Sequence, residues 1–254
     1  MQNLADMTAI ILAGGLGTRL QSVVSDRPKV LARIGNRPFL TFLLDQLAAA
    51  EAKEVVLCTG YMADQIYEAL GNSYKSLKLI YSREPEPLGT GGAVRRALPY
   101  LNSDPVLIMN GDSFVDADLT AYIKWFFKQR RQASLLLVKV PNTRRYGKVL
   151  FGEDGCLSAF KEKGSDADPG WINAGIYIMK KSLVTSMPAG IAFSLEREFF
   201  PRLLGQKFYG FCTSGRFIDI GTPQSLGRAQ EFFDVSDPFN TISSVNSKLK
   251  EPDK

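Results

Sequence analysis

The apolar positions of this chain fall into short runs separated by polar and glycine-rich breaks. The first run, residues 8–13, reads Thr-Ala-Ile-Ile-Leu-Ala and stops abruptly at Gly14-Gly15-Leu16-Gly17-Thr18-Arg19. Similar runs of strand length recur at 55–59, 77–81 and 105–109. Between them the large apolar residues widen to helical spacing. Residues 38–50 carry Phe39, Leu40, Leu43, Leu44 and Leu47 on one face, and shorter helices are expected at 16–24, 62–70, 90–98 and 119–132. Strands of four to six residues alternating with helices predict a wound, mainly parallel sheet.

After about residue 133 the pattern changes. Strand-like segments at 134–140, 148–151, 156–161, 172–179 and 208–213 are separated by glycine turns, with helices expected only at 195–204 and 223–233. The expected fold class is therefore α/β, a Rossmann-like wound mixed sheet flanked by helices, with a more antiparallel C-terminal half. No linker-like stretch divides it, so residues 1–233 are read as one domain. Residues 234–254 lack apolar periodicity and are read as a loosely ordered tail.

Composition narrows the chemistry mainly through one absence. The chain contains no histidine, which excludes Ser-His-Asp and Cys-His mechanisms and any histidine-ligated metal. Its three cysteines, Cys58, Cys156 and Cys212, show no disulfide or zinc spacing and sit in apolar runs, where a buried thiol packs as a small hydrophobe. That pattern suits a reducing, cytoplasmic setting. No apolar stretch long enough to span a membrane and no leader pattern is present, so no membrane association is expected. The net charge of +5 suits anionic ligands, but no basic block with interleaved aromatics argues for nucleic acid.

The glycine loop is the first chemical candidate. Glycines expose backbone N–H groups to close approach, and Arg19 adds a permanently charged fork. A Walker loop would need a lysine that is missing, and the dinucleotide fingerprint fails at Leu20 and lacks an acid after the second strand. A plain turn between strand and helix fits the loop alone equally well. Asp112 follows the apolar run 106–109 and is freed by Gly111; Asp219 stands in the same setting before Ile220-Gly221. Two strand-end aspartates can flank a magnesium ion that also takes phosphate oxygens, although either could be a capping residue. Lys29, held by Pro28, and Lys163 are candidates to neutralise phosphate, against the ordinary alternative of solvated surface charges.

Taken in order, Leu12-Ala13-Gly14-Gly15-Leu16-Gly17-Thr18-Arg19-Leu20, Arg27-Pro28-Lys29, Pro87-Leu88-Gly89-Thr90-Gly91-Gly92, Asn110-Gly111-Asp112, Glu162-Lys163, Asn173-Ala174-Gly175 and Asp219-Ile220-Gly221-Thr222-Pro223 resemble the sugar-1-phosphate nucleotidylyltransferases. The resemblance implies transfer of a nucleoside monophosphate from an NTP to a sugar 1-phosphate, with Mg2+ as cofactor and pyrophosphate as by-product. It implies that Arg19, Lys29, Asp112 and Lys163 act in catalysis, and that Asp112 and Asp219 hold the metal. Leu12, Ala13, Gly14, Gly15, Gly17, Thr18, Glu84, Gly89 and Thr90 would meet the nucleotide; Gly147, Glu162 and Asn173 would meet the sugar. The acceptor phosphate is already an anionic nucleophile, so no general base is required, in keeping with the missing histidine.

The residue implied to read the base is Glu84. A carboxylate accepts two hydrogen bonds, which suits the N1–H and N2–H₂ edge of guanine and favours GTP. The segment 84–92 and Asn110-Gly111-Asp112-Ser113-Phe114 look most like the D-glycero-D-manno-heptose 1-phosphate guanylyltransferases, with mannose-1-phosphate guanylyltransferases and N-acetylmuramate 1-phosphate uridylyltransferases as alternatives. A non-catalytic nucleotide-sugar sensor is the reading from another class. The products would serve nucleotide-sugar and cell-surface polysaccharide synthesis, and a homo-oligomer is compatible with the sequence. Val30 and Arg33 replace prolines common in the family, which predicts altered loop packing.

Overall fold

The structure is a computed structural model that describes residues 3–128, 131–161, 163–164 and 167–234. Eight strands build the main sheet: β1 (Ala9–Leu12), β2 (Glu54–Thr59), β3 (Ser73–Tyr74), β4 (Leu77–Arg83), β5 (Val106–Asn110), β6 (Ala133–Val140), β7 (Gly170–Met179) and β8 (Phe208–Thr213). Their spatial order is β8-β6-β7-β5-β1-β2-β4-β3. The helices are α1 (Phe39–Ala49), α2 (Ala63–Leu70), α3 (Gly89–Arg96), α4 (Leu119–Lys128), α5 (Lys181–Ser186) and α6 (Pro223–Asp234).

The unbroken apolar runs are explained by burial on both faces of the sheet. Side chains alternate along a strand, and the two faces feed two cores. Ala9 and Ile11 of β1, Val55 and Leu57 of β2, and Leu107 and Met109 of β5 pack with α1, α4 and α6. Ile10, Val56, Cys58, Val106 and Ile108 pack on the opposite side with α3, α5 and the aromatic pair Phe199 and Phe200. On the first side Phe42 of α1 stacks on Phe233 of α6 at a ring separation of 3.8 Å.

Strands β1, β2, β4 and β5 run parallel. The antiparallel character of the second half rests on β7, which opposes both β5 and β6, whereas β8 returns parallel to β6. From β1 the chain passes to β2 on one side, and β5 later pairs on the other. The β1/β5 junction is therefore a switch point, where a crevice opens beyond the carboxyl ends of the strands. The reversed direction of β7 brings its N-terminal half, with Asn173, to the same end.

Several expectations are corrected. Residues 16–24 form no helix but a chain of turns, with Leu20 N–H bonded to the Gly17 carbonyl at 2.8 Å. Only Leu20 is buried there, while Leu16 and Val23 face outward, so no apolar stripe exists to dock a helix. The cysteines are not all buried: Cys58 is, whereas Cys212 is exposed on β8, the edge strand. The expected helix at 195–204 is a wide turn, Leu195–Phe199, followed by a 3₁₀ turn at Phe200–Leu203. Helix α5 and a ribbon pairing Ser113–Val115 with Phe217–Asp219 were not foreseen. Asp234, assigned to the tail, closes α6, and the rest of that tail lies outside the described residues.

Candidate active site

The crevice has two adjoining lobes, of about 410 and 870 Å³, sharing a wall made by Gly89, Thr90, Asn110 and Asp112. The smaller lobe is floored by the glycine loop. Leu12 of β1 is in register with Asn110 of β5, and the Gly111 N–H donates to the Leu12 carbonyl at 3.0 Å. A side chain at Gly111 would collide with that carbonyl, so the close approach of the two strand ends requires glycine here. Gly17 adopts φ +62° and lies against the stem of Lys29. The loop is thus an open stretch of backbone without a following helix, so no helix dipole acts there.

Glu84 closes the far side of the smaller lobe. It is buried, its Oε2 accepts the Leu88 N–H at 3.0 Å, and its Oε1 faces Gly14, where a Cβ would come within 2.7 Å. Burial pushes its carboxyl above the usual range, and the opposing pull of the Leu88 N–H and the Arg96 charge is smaller. Gly89 has φ +68° and would, with a Cβ, strike the Phe193 carbonyl at 2.5 Å. Thr90 donates its hydroxyl to Glu196 at 2.7 Å and accepts the Leu195 N–H at 2.8 Å. The second glycine cluster therefore serves largely to seat α3 against residues 191–195.

The two aspartates are brought together by the short ribbon. Asp219 pairs in register with Ser113, and the Ile220 N–H donates to the Asp112 carbonyl at 2.9 Å. Asp112 forms an ion pair with Lys29, Nζ to Oδ2 at 2.5 Å. Asp219 accepts from Arg145, from the Tyr146 hydroxyl at 2.5 Å and from the Gly221 N–H at 2.8 Å. Burial opposes the charge on Asp219, but these hydrogen bonds and the Arg145 charge outweigh it and hold the carboxyl below the usual range. Arg19 reaches the same place: its guanidinium lies 3.5 Å from where a Cβ of Gly221 would stand. Among the described residues no cluster of three carboxylates or thiols exists. The donors are hard oxygens only, and two carboxylates with phosphate oxygens make a fitting set for a magnesium-like cation.

The larger lobe is lined by Arg19, Gly147, Lys163, Asn173 and Asp219 among the residues singled out from the sequence. Gly147 has φ +77° and packs on the Lys161 carbonyl. Asn173 accepts the Gly175 N–H at 2.8 Å and donates to the Tyr177 hydroxyl at 3.0 Å. Glu162 lies outside the described residues. Four residues were missed: Arg145, Tyr146, Tyr177 and Glu196. The hydroxyl of fully buried Tyr177 is a hub, accepting from Asn110 and Asn173 and donating to Glu196, which in turn holds Thr90. Only the pair Tyr146-Gly147, an aromatic before a turn glycine, offered a sequence signal.

Comparison with known proteins gives the class of protein to which this fold and crevice belong. Residues 8–235 match the family model described as nucleotidyl transferase, and the chain belongs to that family. It is 40% identical over 226 residues to a D-glycero-alpha-D-manno-heptose 1-phosphate guanylyltransferase of Aneurinibacillus thermoaerophilus, covering 89% of this chain and 97% of that protein. It is 35% identical to a mannose-1-phosphate guanylyltransferase of Mycobacterium tuberculosis, across 87% of this chain but 62% of that one. Among solved structures it is similar to HddC from Yersinia pseudotuberculosis complexed with GMP-PN, with a TM-score of 0.80, 34% identity, and coverage of 89% of this chain and 99% of that one. No helix among the described residues is long and apolar enough to cross a membrane.

Proposed function

We propose that this protein transfers GMP from GTP to D-glycero-α-D-manno-heptose 1-phosphate, releasing pyrophosphate. The observation that carries the reading is the pair of lobes meeting at a wall that holds Asp112, with Lys29 beside it. A nucleoside triphosphate fits the lobe with the glycine loop and Glu84, and a sugar 1-phosphate fits the lobe with Lys163 and Asn173. Heptose is placed before mannose because the relative named for heptose is the more similar, 40% against 35%.

In this reading a phosphate oxygen of the acceptor attacks the α-phosphorus in line, and the bond from that phosphorus to the α–β bridging oxygen breaks. Lys29 shifts from Asp112 to the α-phosphate and the departing pyrophosphate, and the loop N–H groups hold the β- and γ-phosphates; Arg19, expected there from the sequence, lines the acceptor lobe beside Gly221 and meets the phosphates from that side. Lys163 orients the acceptor phosphate. Glu84 accepts hydrogen bonds from the guanine edge through Oε1, its Oε2 being engaged by Leu88. Asp112 and Asp219 would hold Mg2+, which when bound would neutralise negative charge on the phosphates. Catalysis is positioning plus neutralisation.

The test is pyrophosphate release with each of GTP, UTP, CTP, dTTP and ATP against heptose, mannose, glucose and N-acetylmuramate 1-phosphates. Release is expected with GTP and is fastest with the heptose. No release with any pair would overturn the enzyme reading, and release with UTP but not GTP would overturn the role given to Glu84.

A further inference from the structure

Asp219 is surrounded by donors. Nη2 of Arg145 lies 2.9 and 3.1 Å from its two oxygens, the Tyr146 hydroxyl 2.5 Å from Oδ2, and the Gly221 N–H and Ser225 hydroxyl 2.8 and 3.4 Å from Oδ1. A carboxylate offers about four lone-pair sites. An oxygen of Asp219 can therefore accept a cation only if one of these donors withdraws.

The donors differ in their freedom to do so. The Gly221 N–H is backbone, and the Tyr146 ring is wedged edge-on against Phe217 at 5.4 Å. Arg145 is long, and its side chain is 36% exposed. It also stands on a turn aimed at the acceptor lobe. The Gly147 N–H closes that turn onto the Thr143 carbonyl at 3.0 Å, and the Gly164 N–H ties it to the Arg144 carbonyl at 2.9 Å. Gly164 follows Lys163, so Arg145 and Lys163 occupy adjoining turns and line the same lobe.

We infer that Arg145 is a catalytic residue with two posts. It neutralises Asp219 until a divalent cation takes that carboxylate, and its guanidinium then grips the phosphate of the acceptor sugar beside Lys163. The inference rests on the reading of Asp219 as a cation ligand. Its physics is simple: a cation at Asp219 repels the guanidinium, and a phosphate within reach of a planar fork receives it in paired hydrogen bonds. The lobe thereby couples occupancy by the cation to readiness for the acceptor.

The test compares wild type with Arg145→Gln and Arg145→Lys, both at a partly exposed side chain outside the hydrophobic cores. Mn2+ binding to the nucleotide-free protein is read by electron paramagnetic resonance. Arg145→Gln should bind Mn2+ about tenfold more tightly, and Arg145→Lys as wild type does. At saturating Mg2+ and GTP, Arg145→Gln should raise KM for the sugar 1-phosphate about tenfold or more with KM for GTP unchanged, and Arg145→Lys, which keeps the charge but not the fork, should restore only part of the loss. Equal or weaker Mn2+ binding in Arg145→Gln would overturn the first post, and an unchanged sugar KM the second. Wild-type protein inert with every sugar 1-phosphate would overturn the second post together with the proposed function, while the Mn2+ comparison would still decide the first.

Discussion

The N–H of Ile220 donates to the carbonyl of Asp112 over 2.9 Å, joining two segments more than a hundred residues apart. This bond, with the pairing of Asp219 and Ser113, fixes the spacing of the two carboxylates independently of any ligand. Asp112→Asn and Asp219→Asn should each lower turnover by about 100-fold or more while leaving the fold intact. Steady-state pyrophosphate release, with circular dichroism as the folding control, checks this; full activity in either variant would remove the metal role.

Asp219 also makes stability depend on acid. Its carboxyl is depressed in the folded state, so its contribution is complete well above the ordinary value of 3.8 and is lost as pH falls through the folded value. Urea melts should therefore show Asp219→Asn less stable than wild type by about 1–3 kcal/mol near pH 7. The gap should narrow below pH 3.8; a gap that does not change with pH would show that the charge is immaterial.

Glu84 carries the opposite sign. Burial raises its folded value above 4.5, so the folded protein binds this proton more tightly than the unfolded chain, and stability falls as pH rises from 4.5 through the raised value. If the ionised carboxylate receives the guanine edge, GTP affinity should begin to weaken on acidification at a higher pH than an ordinary glutamate would give. Glu84→Gln should weaken GTP binding by about 1.5–3 kcal/mol and abolish that pH dependence. Calorimetric titration across pH measures both; equal affinity in the variant would move the base elsewhere.

Gly91 tests the packing role of the second glycine cluster. A methyl group there would enter the ring of Phe193, so Gly91→Ala should destabilise the fold by about 1–3 kcal/mol. Adding Phe193→Leu should recover part of the loss. Thermal melts with and without GTP distinguish this from a ligand effect, because a nucleotide contact at Gly91 would instead appear as a reduced GTP-induced shift.

Much of this was legible in the chain because local chemistry decides it. The runs at β1, β2 and β5 are apolar on both faces, and a strand buried on both sides has no other composition open to it. Glycine and aspartate at strand ends mark the crevice for the same reason. The turn chain at 16–24 was misread because glycine followed by a few apolar residues looks like a helix start until burial shows that only Leu20 points inward. Arg145, Tyr146, Tyr177 and Glu196 were invisible for a different reason. Their significance lies mainly in distant partners, as in Tyr146 with Asp219 and Thr90 with Glu196, and no periodicity records such pairs.

The wall shared by the two lobes has a consequence for what leaves the enzyme. Gly89, Thr90, Asn110 and Asp112 border both cavities, so a molecule joined across that wall is held from two sides while losing its rotational freedom once. A sugar and a nucleoside linked through a diphosphate have that shape. Departure of such a product would require both ends to let go together.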